Sequence, residues 1–383
     1  MLIAKAKSWW TGHRLPPGNF FSLEALLASD PRALALKAAE EGPILTCVWG
    51  EKVAICVTSL PVARRLLQER GEDLKSLSID IASVVPKGML RTMEGLDHKT
   101  YRTRFAKAIS ASGSSDQTND VQAIIAEALA SSRLDDEPTG GAYDELAIRL
   151  LLRTFLGVPL HSDHHRHLET HFKAMAPNGF AWTVGPIQKS AFEAIRGRLV
   201  GLVSNKAGEV LSDSVLGCFI HDASIDPVTI GNLIYMVEMG RHDLALFFYR
   251  IAKFMSTNWT MLRRIDESRK SDIGVTVAEA VVLETLRFEQ SERLMRAAKR
   301  DFIFDGFLFP RGAVVRICLW EAHRDGVNFE GPFSFEPDRF LEATYTPDQF
   351  SPFGLGHHRC PAAVPVLQYG SLFVEAYVRR RLS

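Results

Sequence analysis

A glycine-rich turn near the end of the sequence contains the residue best suited to chemistry. It reads Phe353-Gly354-Leu355-Gly356-His357-His358-Arg359-Cys360-Pro361-Ala362. The glycines let the backbone turn tightly and approach a large flat ligand. Cys360 precedes a predicted helix, whose N-terminal N–H groups and positive dipole end favour the thiolate form.

A cysteine thiolate in such a turn can bind haem iron. It is the ligand that donates electron density to the iron and favours cleavage of an O–O bond. His358, two residues before Cys360, can reach a haem carboxylate. The turn therefore predicts a haem site with Cys360 as the iron ligand. The alternative is a glycine-rich loop that contains a buried thiol.

The other four cysteines predict no disulfide framework, because five cysteines at scattered positions do not form a regular pattern. Cys47, Cys56 and Cys318 lie in apolar, strand-like runs. We expect them to be small buried core residues.

Charged residues elsewhere occur at spacings that could position a prosthetic group. Glu284 and Arg287 lie three residues apart, on one face of a predicted helix. Arg339 could complete a buried Glu-Arg-Arg network with them. His98 and Arg102 lie one helical turn apart and direct two basic groups the same way.

The predicted elements form one mixed domain, mostly helical, with a smaller sheet region. Helical patterns fill most of residues 120–286, and strands are predicted on either side. The individual predictions are a hairpin (Ile44 to Trp49 and Val53 to Val57), a helix from Pro61 to Arg70 with Gly71 as its C-cap, a hairpin around Asp305-Gly306, a strand from Val314 to Leu319, and a last helix from Ala362 to about Arg380.

The segment from Ile230 to Met255 predicts a long helix through the core, because it is apolar on several faces. Charged residues interrupt its middle. Buried charges cost free energy unless they are paired or line a wet cavity. We therefore expect a functional cavity beside the middle of this helix.

Taken together, these residues resemble the cytochrome P450 family over roughly residues 35 to 383, with residues 1–34 as an N-terminal segment. Residues 353–362 look like the family's cysteine-ligand loop. Glu284 and Arg287 match its ExxR pair, and Arg339 matches the arginine of its PxRF segment. The matches to residues that hold the two haem propionates are His98, Arg102 and Arg296.

The resemblance implies a mainly α fold, triangular in outline, with a smaller β region and a long central helix over haem b. It implies Cys360 as the iron ligand and His98, Arg102, Arg296 and His358, with Phe353 and Gly354 of the loop, as haem-binding residues. Glu284, Arg287 and Arg339 would be structural. The implied activity is dioxygen-dependent oxidation of a small organic substrate, such as a secondary metabolite, with electrons from a separate ferredoxin-type donor.

The central helix departs from the family pattern of a small residue, glycine, any residue, an acid and threonine. This chain reads Met239-Gly240-Arg241-His242-Asp243. The acid and threonine deliver protons in the family, and imidazole and carboxylate can also carry protons. His242, Asp243 and Arg241 are therefore our candidate catalytic residues.

Two alternatives remain open. One is an atypical haem enzyme, driven by peroxide or catalysing a non-oxidative rearrangement, because some related enzymes that lack the acid-threonine pair use peroxide and hold a substrate carboxylate with an arginine of this helix. The other is a haem-binding protein without turnover.

The resemblance places Glu238, Met239 and Tyr235 at the substrate pocket. Glu238 would meet an amine or guanidinium of the substrate, or pair internally with His242 four residues on. Aromatic residues that would line the pocket or pack in the core are Phe180, Trp182 and Phe192.

Composition excludes several classes of protein. Lys plus Arg equals Asp plus Glu, 45 each, so no charge pattern indicates nucleic acid as a partner. No run is long and apolar enough for a membrane anchor, and the N-terminus does not resemble a secretion signal, so we expect neither. We expect a cytoplasmic protein. A basic patch for an acidic electron donor could comprise Lys99, Arg102, Arg104, Lys107 and Arg359.

The histidine-rich stretch from His161 to His171 could indicate a metal site. No acid or cysteine completes a convincing ligand set within it. We expect a solvated helix face there.

Overall fold

A computed structural model of the chain describes residues 1–77, 85, 87–131, 141–175, 185–204, 209–266, 274–289 and 294–382. It divides into two compact units. The first comprises Met1–Leu77 and Glu284–Cys360, and the second comprises Ser78–Leu283 and Pro361–Ser383. A single domain over residues 35–383 stays a prediction.

Most of the described secondary structure is helical. The helices are α1 (Leu2–Thr11), α2 (Leu23–Ser29), α3 (Ala33–Glu41), α4 (Leu60–Arg70), α5 (Gly95–Ala111), α6 (Ser115–Ala130), α7 (Ala142–Thr154), α8 (Asp163–Met175), α9 (Pro186–Ser204), α10 (Val215–His221), α11 (Pro227–Met255), α12 (Trp259–Asp266), α13 (Val277–Phe288), α14 (Leu319–Ala322), α15 (Arg339–Glu342) and α16 (Ala363–Leu382). The strands are β1 (Phe21–Ser22), β2 (Ile44–Trp49), β3 (Lys52–Val57), β4 (Leu74–Ser76), β5 (Leu294–Ala298), β6 (Phe302–Phe304), β7 (Phe307–Phe309) and β8 (Val314–Ile317).

The first unit contains a mixed six-stranded sheet in the order β1-β2-β3-β8-β5-β4. β2 and β3 form the predicted antiparallel hairpin, and β3 pairs with β8 in parallel. Its core lies between the sheet and α4, where Ile55, Leu66 and Val315 are buried. Cys47, Cys56 and Cys318 are buried in this unit, as predicted.

The sequence predicted the turn between β6 and β7 correctly, but it predicted the wrong conformation for Gly71 at the end of α4. β6 and β7 pair as a hairpin, and Asp305 and Gly306 both adopt the positive φ that this tight turn requires. Gly71 follows α4 as predicted but has φ −56°, so it does not form a left-handed cap. Instead the chain continues into a 3-10 turn over Gly71–Asp73.

A buried ion-pair network fastens the second half of the first unit. Arg287 donates from Nε and Nη2 to the two carboxylate oxygens of Glu284, at 2.7 Å each, and neither side chain is exposed. Arg287 also donates to the carbonyl oxygens of His323, Pro332 and Ser334. This paired charge ties the loop that follows α14 to α13.

The second unit is built around α11, which confirms the predicted long core helix. Asp226 caps its N-terminus by accepting a hydrogen bond from the backbone N–H of Thr229 at 2.7 Å. The helix packs mainly against α7, and also against α9 and α16. Gly370 lets α16 approach α11 closely, because a Cβ there would lie 2.9 Å from the Phe247 ring. Among the described residues, no helix combines the length and apolar composition that crossing a bilayer requires.

Gly370→Ala tests the close approach of α16 to α11. The added methyl group would meet Phe247 and Val282 at 2.9 Å, so we expect overpacking to lower the free energy of unfolding by about 1–3 kcal/mol. The matched control is Gly197→Ala on α9, where a Cβ would meet no neighbour within 4 Å beyond its own stretch of helix; there the higher helix propensity of alanine should raise stability by up to about 1 kcal/mol. Urea denaturation of both variants measures the difference, and equal effects would contradict the packing argument.

His323 should make the first unit sensitive to acid. Burial, with Arg287 and Arg324 nearby, lowers the pKa of His323 to about 3, whereas the unfolded value is near 6.5. Stability from the neutral ring is therefore complete above pH 6.5 and declines as pH falls towards 3. At pH 5 the loss should reach about 2 kcal/mol.

Urea denaturation at pH 7 and pH 5 checks this prediction. His323→Gln retains an acceptor for Ser351 but cannot titrate, so its stability should change less between the two pH values by about 2 kcal/mol. His221→Gln, at an exposed histidine, serves as the control. If His323→Gln and the parent respond to pH equally, His323 does not carry the effect.

Candidate functional site

The cysteine-bearing loop has a defined backbone geometry in the first unit. The Cys360 N–H donates to the carbonyl oxygen of Phe353 at 2.8 Å, and the Gly354 N–H donates to that of Ser351 at 3.2 Å. Gly354 and Gly356 have φ values of 85° and 64°, which favour glycine. The Cys360 side chain is half-buried. The loop therefore presents a sulfur atom from a tightly turned backbone.

Packing and one buried imidazole hold this loop in place. Leu355 is buried in the core that includes Leu66 of α4, and Gly356 lies beside Leu67. The Ser351 N–H donates to Nε2 of the buried His323 at 3.0 Å. The loop is thus fixed both by apolar burial and by a polar contact to the residue after α14.

Arg339 joins the Glu284–Arg287 pair, so the structure brings all three residues together. Its Nε lies 3.3 Å from Glu284 Oε2, and its Nη1 donates to the carbonyl oxygen of Glu330 at 2.8 Å. The Glu336 N–H donates to Glu284 Oε1 at 2.8 Å. Glu284 thereby receives donors from three directions, which a buried carboxylate needs.

Two further predicted haem-binding residues lie in the first unit. Arg296 is on β5, is 5% exposed, and donates from Nη1 to the carbonyl oxygen of Met295 at 2.9 Å. His358 is half-buried in the 3-10 turn Gly356–His358. Each combines a basic side chain with partial or full burial.

His98 and Arg102 lie one turn apart on α5 of the second unit, as predicted. His98 is 8% exposed and Arg102 is half-buried. The preceding Gly95 has φ 59°, a conformation suited to glycine at the start of α5.

Four polar side chains of the second unit form a buried group that we call the Glu238 cluster: Asp144, Glu238, Arg241 and His242. Arg241 Nη1 lies 3.3 Å from Asp144 Oδ2, and Arg241 Nε lies 3.0 Å from Glu238 Oε2. His242 Nε2 lies 3.2 Å from Glu238 Oε1. The internal pairing of Glu238 with His242 is therefore present.

Asp144 of α7 is the member that the sequence did not indicate. It is 97 residues from Arg241 along the chain, and an acidic residue in the first turn of a helix is ordinary. Burial raises the pKa of Asp144, and Arg241 opposes that rise. An arginine in a predicted core helix was the available signal, because it requires an acid on a neighbouring element.

The remaining candidates on α11 differ in exposure. Tyr235 and Met239 are half-buried, and Asp243 is exposed. Gly240 faces α7, where its Cβ would lie 3.3 Å from Leu151 Cδ1. Phe192 is buried on α9, whereas Phe180 and Trp182 lie outside the described residues.

The predicted basic patch needs correction at two positions. Arg104 pairs with Asp226 at 3.1 Å, and Lys107 pairs with Asp222 at 2.7 Å. These aspartates neutralise much of the positive charge. Lys99 and Arg359 are exposed.

The histidine-rich stretch forms α8 and the turn before it, but it is not a uniformly solvated face. His165 is 3% exposed and lies 3.6 Å from Glu169. Among the described residues, no group of three or more His, Cys, Asp or Glu side chains could hold a metal ion.

The chemistry of the donor set fits haem. In the first unit the Cys360 sulfur suits the iron, and the basic side chains of Arg296 and His358 suit haem carboxylates; the parts of His98 and Arg102 of the second unit stay predictions. These basic groups are buried or half-buried, where charge-assisted hydrogen bonds to carboxylates are strong.

Comparisons with known proteins agree with this assignment. Residues 267–361 match the family model described as Cytochrome P450. The chain is 23% identical over 212 residues to 3-epi-6-deoxocathasterone 23-monooxygenase CYP90D1 of Arabidopsis thaliana, covering 50% of this chain and 43% of that protein. It is 36% identical over 103 residues to ferruginol synthase 1 of Rosmarinus officinalis, covering 25% and 20%. The matches thus span less than half the length of these curated relatives.

The fold is similar to solved structures across nearly the whole chain. The structure of retinoic acid bound cyanobacterial CYP120A1 superposes with a TM-score of 0.67 at 17% identity, covering 96% of this chain and 92% of that one. This likeness confirms the mainly α fold with a smaller β region. The region around the cysteine loop, residues 267–361, matches the model of the cytochrome P450 family, whose members use haem iron.

Proposed function

We propose that this protein is a haem-thiolate monooxygenase that uses dioxygen to hydroxylate, or otherwise oxidise, a small organic substrate. The observation that carries the proposal is the Cys360 loop, in which a cysteine N–H is hydrogen-bonded to Phe353 within the region that matches the family. Two matched plant relatives are named for a monooxygenase reaction and for ferruginol synthesis. A secondary metabolite is accordingly the proposed substrate class.

Each predicted site residue has a defined part in this proposal. Cys360 would bind the iron as thiolate, while His98, Arg102, Arg296 and His358 would hold the haem carboxylates. Haem, when bound, supplies the activation of dioxygen with two electrons and two protons. The protein must supply those protons, orient the substrate and hold the thiolate in place.

Proton supply is assigned to His242, because it replaces the acid of the family pattern and contacts Glu238 at 3.2 Å. An imidazole beside a carboxylate can both accept and release a proton. Asp243, which replaces the threonine, is exposed and could exchange protons with solvent. Met239 and Tyr235 are the proposed pocket residues on the same helix.

The contacts of Arg241 weigh against the peroxide-driven alternative. That alternative needs an arginine of α11 to bind a substrate carboxylate. The Arg241 guanidinium is 1% exposed and already contacts two carboxylates of the protein, Asp144 and Glu238. Releasing it would remove from both buried acids the guanidinium that pairs with them, which is costly. Dioxygen chemistry is therefore the favoured function.

A separate ferredoxin-type donor is the proposed source of electrons. The pairing of Arg104 and Lys107 with aspartates leaves Lys99 and Arg359 as the more available cations of the predicted patch. Charge complementarity would mainly raise the rate of association with an acidic donor, and high salt would reduce that rate.

Cys360→Ser tests the haem-thiolate assignment. We expect the parent to purify with haem and to give the carbon monoxide difference spectrum of a thiolate-ligated iron, because sulfur is the donor that produces it. The variant should lose that spectrum. Cys218→Ser, at another half-buried cysteine, is the matched control and should keep it. A parent-like spectrum from the Cys360 variant would refute the proposal.

Turnover with different electron sources separates the candidate functions. Substrates are first selected from a panel of lipophilic small molecules by the shift they cause in the haem spectrum. We expect product with ferredoxin, its reductase and NAD(P)H, and little product with hydrogen peroxide alone. Efficient turnover with peroxide alone would favour the atypical enzyme, and no turnover with either would favour a haem-binding protein.

A further inference from the structure

We infer that Asp144 of α7 is a positioning residue for proton delivery: with Glu238 and Arg241 it forms a buried cluster that holds one shared proton, which His242 passes on. This inference rests on the proposed dioxygen-dependent function. It adds a residue from a different helix to the proton supply, and it gives Arg241 a defined role.

The geometry makes the cluster one electrostatic unit. Arg241 lies between the two carboxylates, 3.3 Å from Asp144 and 3.0 Å from Glu238. Its side chain is 1% exposed, and those of Asp144 and Glu238 are each 8% exposed. Because water has little access, the electrostatic interactions within the cluster are strong, and a change of charge at one member changes the proton affinity of the others.

Charge balance explains why the cluster should hold a proton. Counted over these four side chains alone, two carboxylates and one guanidinium leave one negative charge when His242 is neutral. Burial penalises such a net charge, so binding of one proton is favoured. Because the groups interact closely, the proton belongs to the cluster rather than to one residue.

Every other member of the cluster affects the pKa of Asp144. Burial raises the pKa of Asp144, Arg241 and then His242 oppose the rise, and Glu238 adds to it. Lys173 of α8 acts on Asp144 more weakly, and it pairs with Glu145 and Glu169. Three arginines of α7 and α9 pair elsewhere, namely Arg149 with Glu127, Arg153 with Asp120 and Asp213, and Arg196 with Glu193.

His242 is the member placed to exchange the proton. At 15% exposure its side chain is the most accessible of the four, and Glu238 accepts from it or donates to it across 3.2 Å. In the delivery step an imidazolium N–H bond of His242 breaks, an O–H bond forms on the dioxygen that the proposed reaction reduces, and neutral imidazole remains. The cluster is then one proton short, and a proton from solvent restores the imidazolium.

Carboxyl ¹³C NMR of aspartate-labelled, haem-loaded protein in its reduced, carbon monoxide-bound form tests the electrostatic unit. Asp144 should titrate above its ordinary value in the parent. His242→Gln should raise the pKa of Asp144 further, because a cation is lost, and Glu238→Gln should lower it, because an anion is lost. Asp144→Asn identifies the signal, and the exposed Asp163 serves as the control. If neither variant moves the Asp144 titration, the inference is wrong.

Product formation tests the role in delivery. His242→Gln should reduce NAD(P)H-supported product by about 10²-fold, the contribution typical of a positioned proton donor. Asp144→Asn removes one negative charge, so the cluster binds its proton less tightly. The alkaline limit of activity should then move to lower pH by at least about one unit, which is tenfold in proton affinity.

Three comparisons distinguish delivery from a purely structural role. Asp144→Glu, which keeps the charge, should restore the pH profile. The thiolate spectrum with carbon monoxide should stay unchanged in all variants. An Asp144→Asn variant with the parent's pH profile would overturn the inference. If the parent itself shows no NAD(P)H-supported product, the proposed function fails instead, and the NMR titration still tests the cluster.

Discussion

The Glu284–Arg287 ion pair is the interaction on which the cysteine-bearing unit depends. Both side chains are fully buried, so neither charge is tolerable without the other. Arg287 donates to the backbone at His323, His323 accepts from the Ser351 N–H, and Ser351 accepts from the Gly354 N–H. Phe353 then accepts from the Cys360 N–H. A continuous series of contacts thus runs from the ion pair to the backbone of Cys360, although Glu284 and Cys360 are far apart in sequence.

In the second unit, buried charges on one helix are paired with an acid on a neighbouring helix. A long core helix should be apolar throughout, yet α11 carries Glu238, Arg241 and His242 near its middle. Asp144 of α7 completes the pairing of Arg241, and this explains how α11 can depart from the family pattern and remain in the core. Arg241 on α11 therefore requires Asp144 on α7, since an arginine buried to 1% exposure needs more than one acceptor.

The sequence predicted features that depend on local spacing. The β6–β7 hairpin follows from Asp305-Gly306, the Glu284–Arg287 pair from a separation of three residues on one helix, and α11 from its apolar length. Features that depend on distant partners were not predictable in the same way. Asp144 has no unusual neighbours in sequence, and the aspartates that neutralise Arg104 and Lys107 lie more than 110 residues away. His165 was expected in solvent because its neighbours are polar, whereas the helix turns it inward beside Glu169.

The position of Arg241 bears on the choice between dioxygen and peroxide chemistry, which the motifs alone leave open. A lone arginine near the middle of the central helix is compatible with holding a substrate carboxylate. In the structure its guanidinium lies between two acids of the protein, and a substrate carboxylate would place a third acid beside one guanidinium. Like charges in a poorly hydrated site repel strongly. Two carboxylates that share one guanidinium disfavour a further anion and favour a bound proton, so the contacts that weigh against substrate anchoring also support the inferred proton storage.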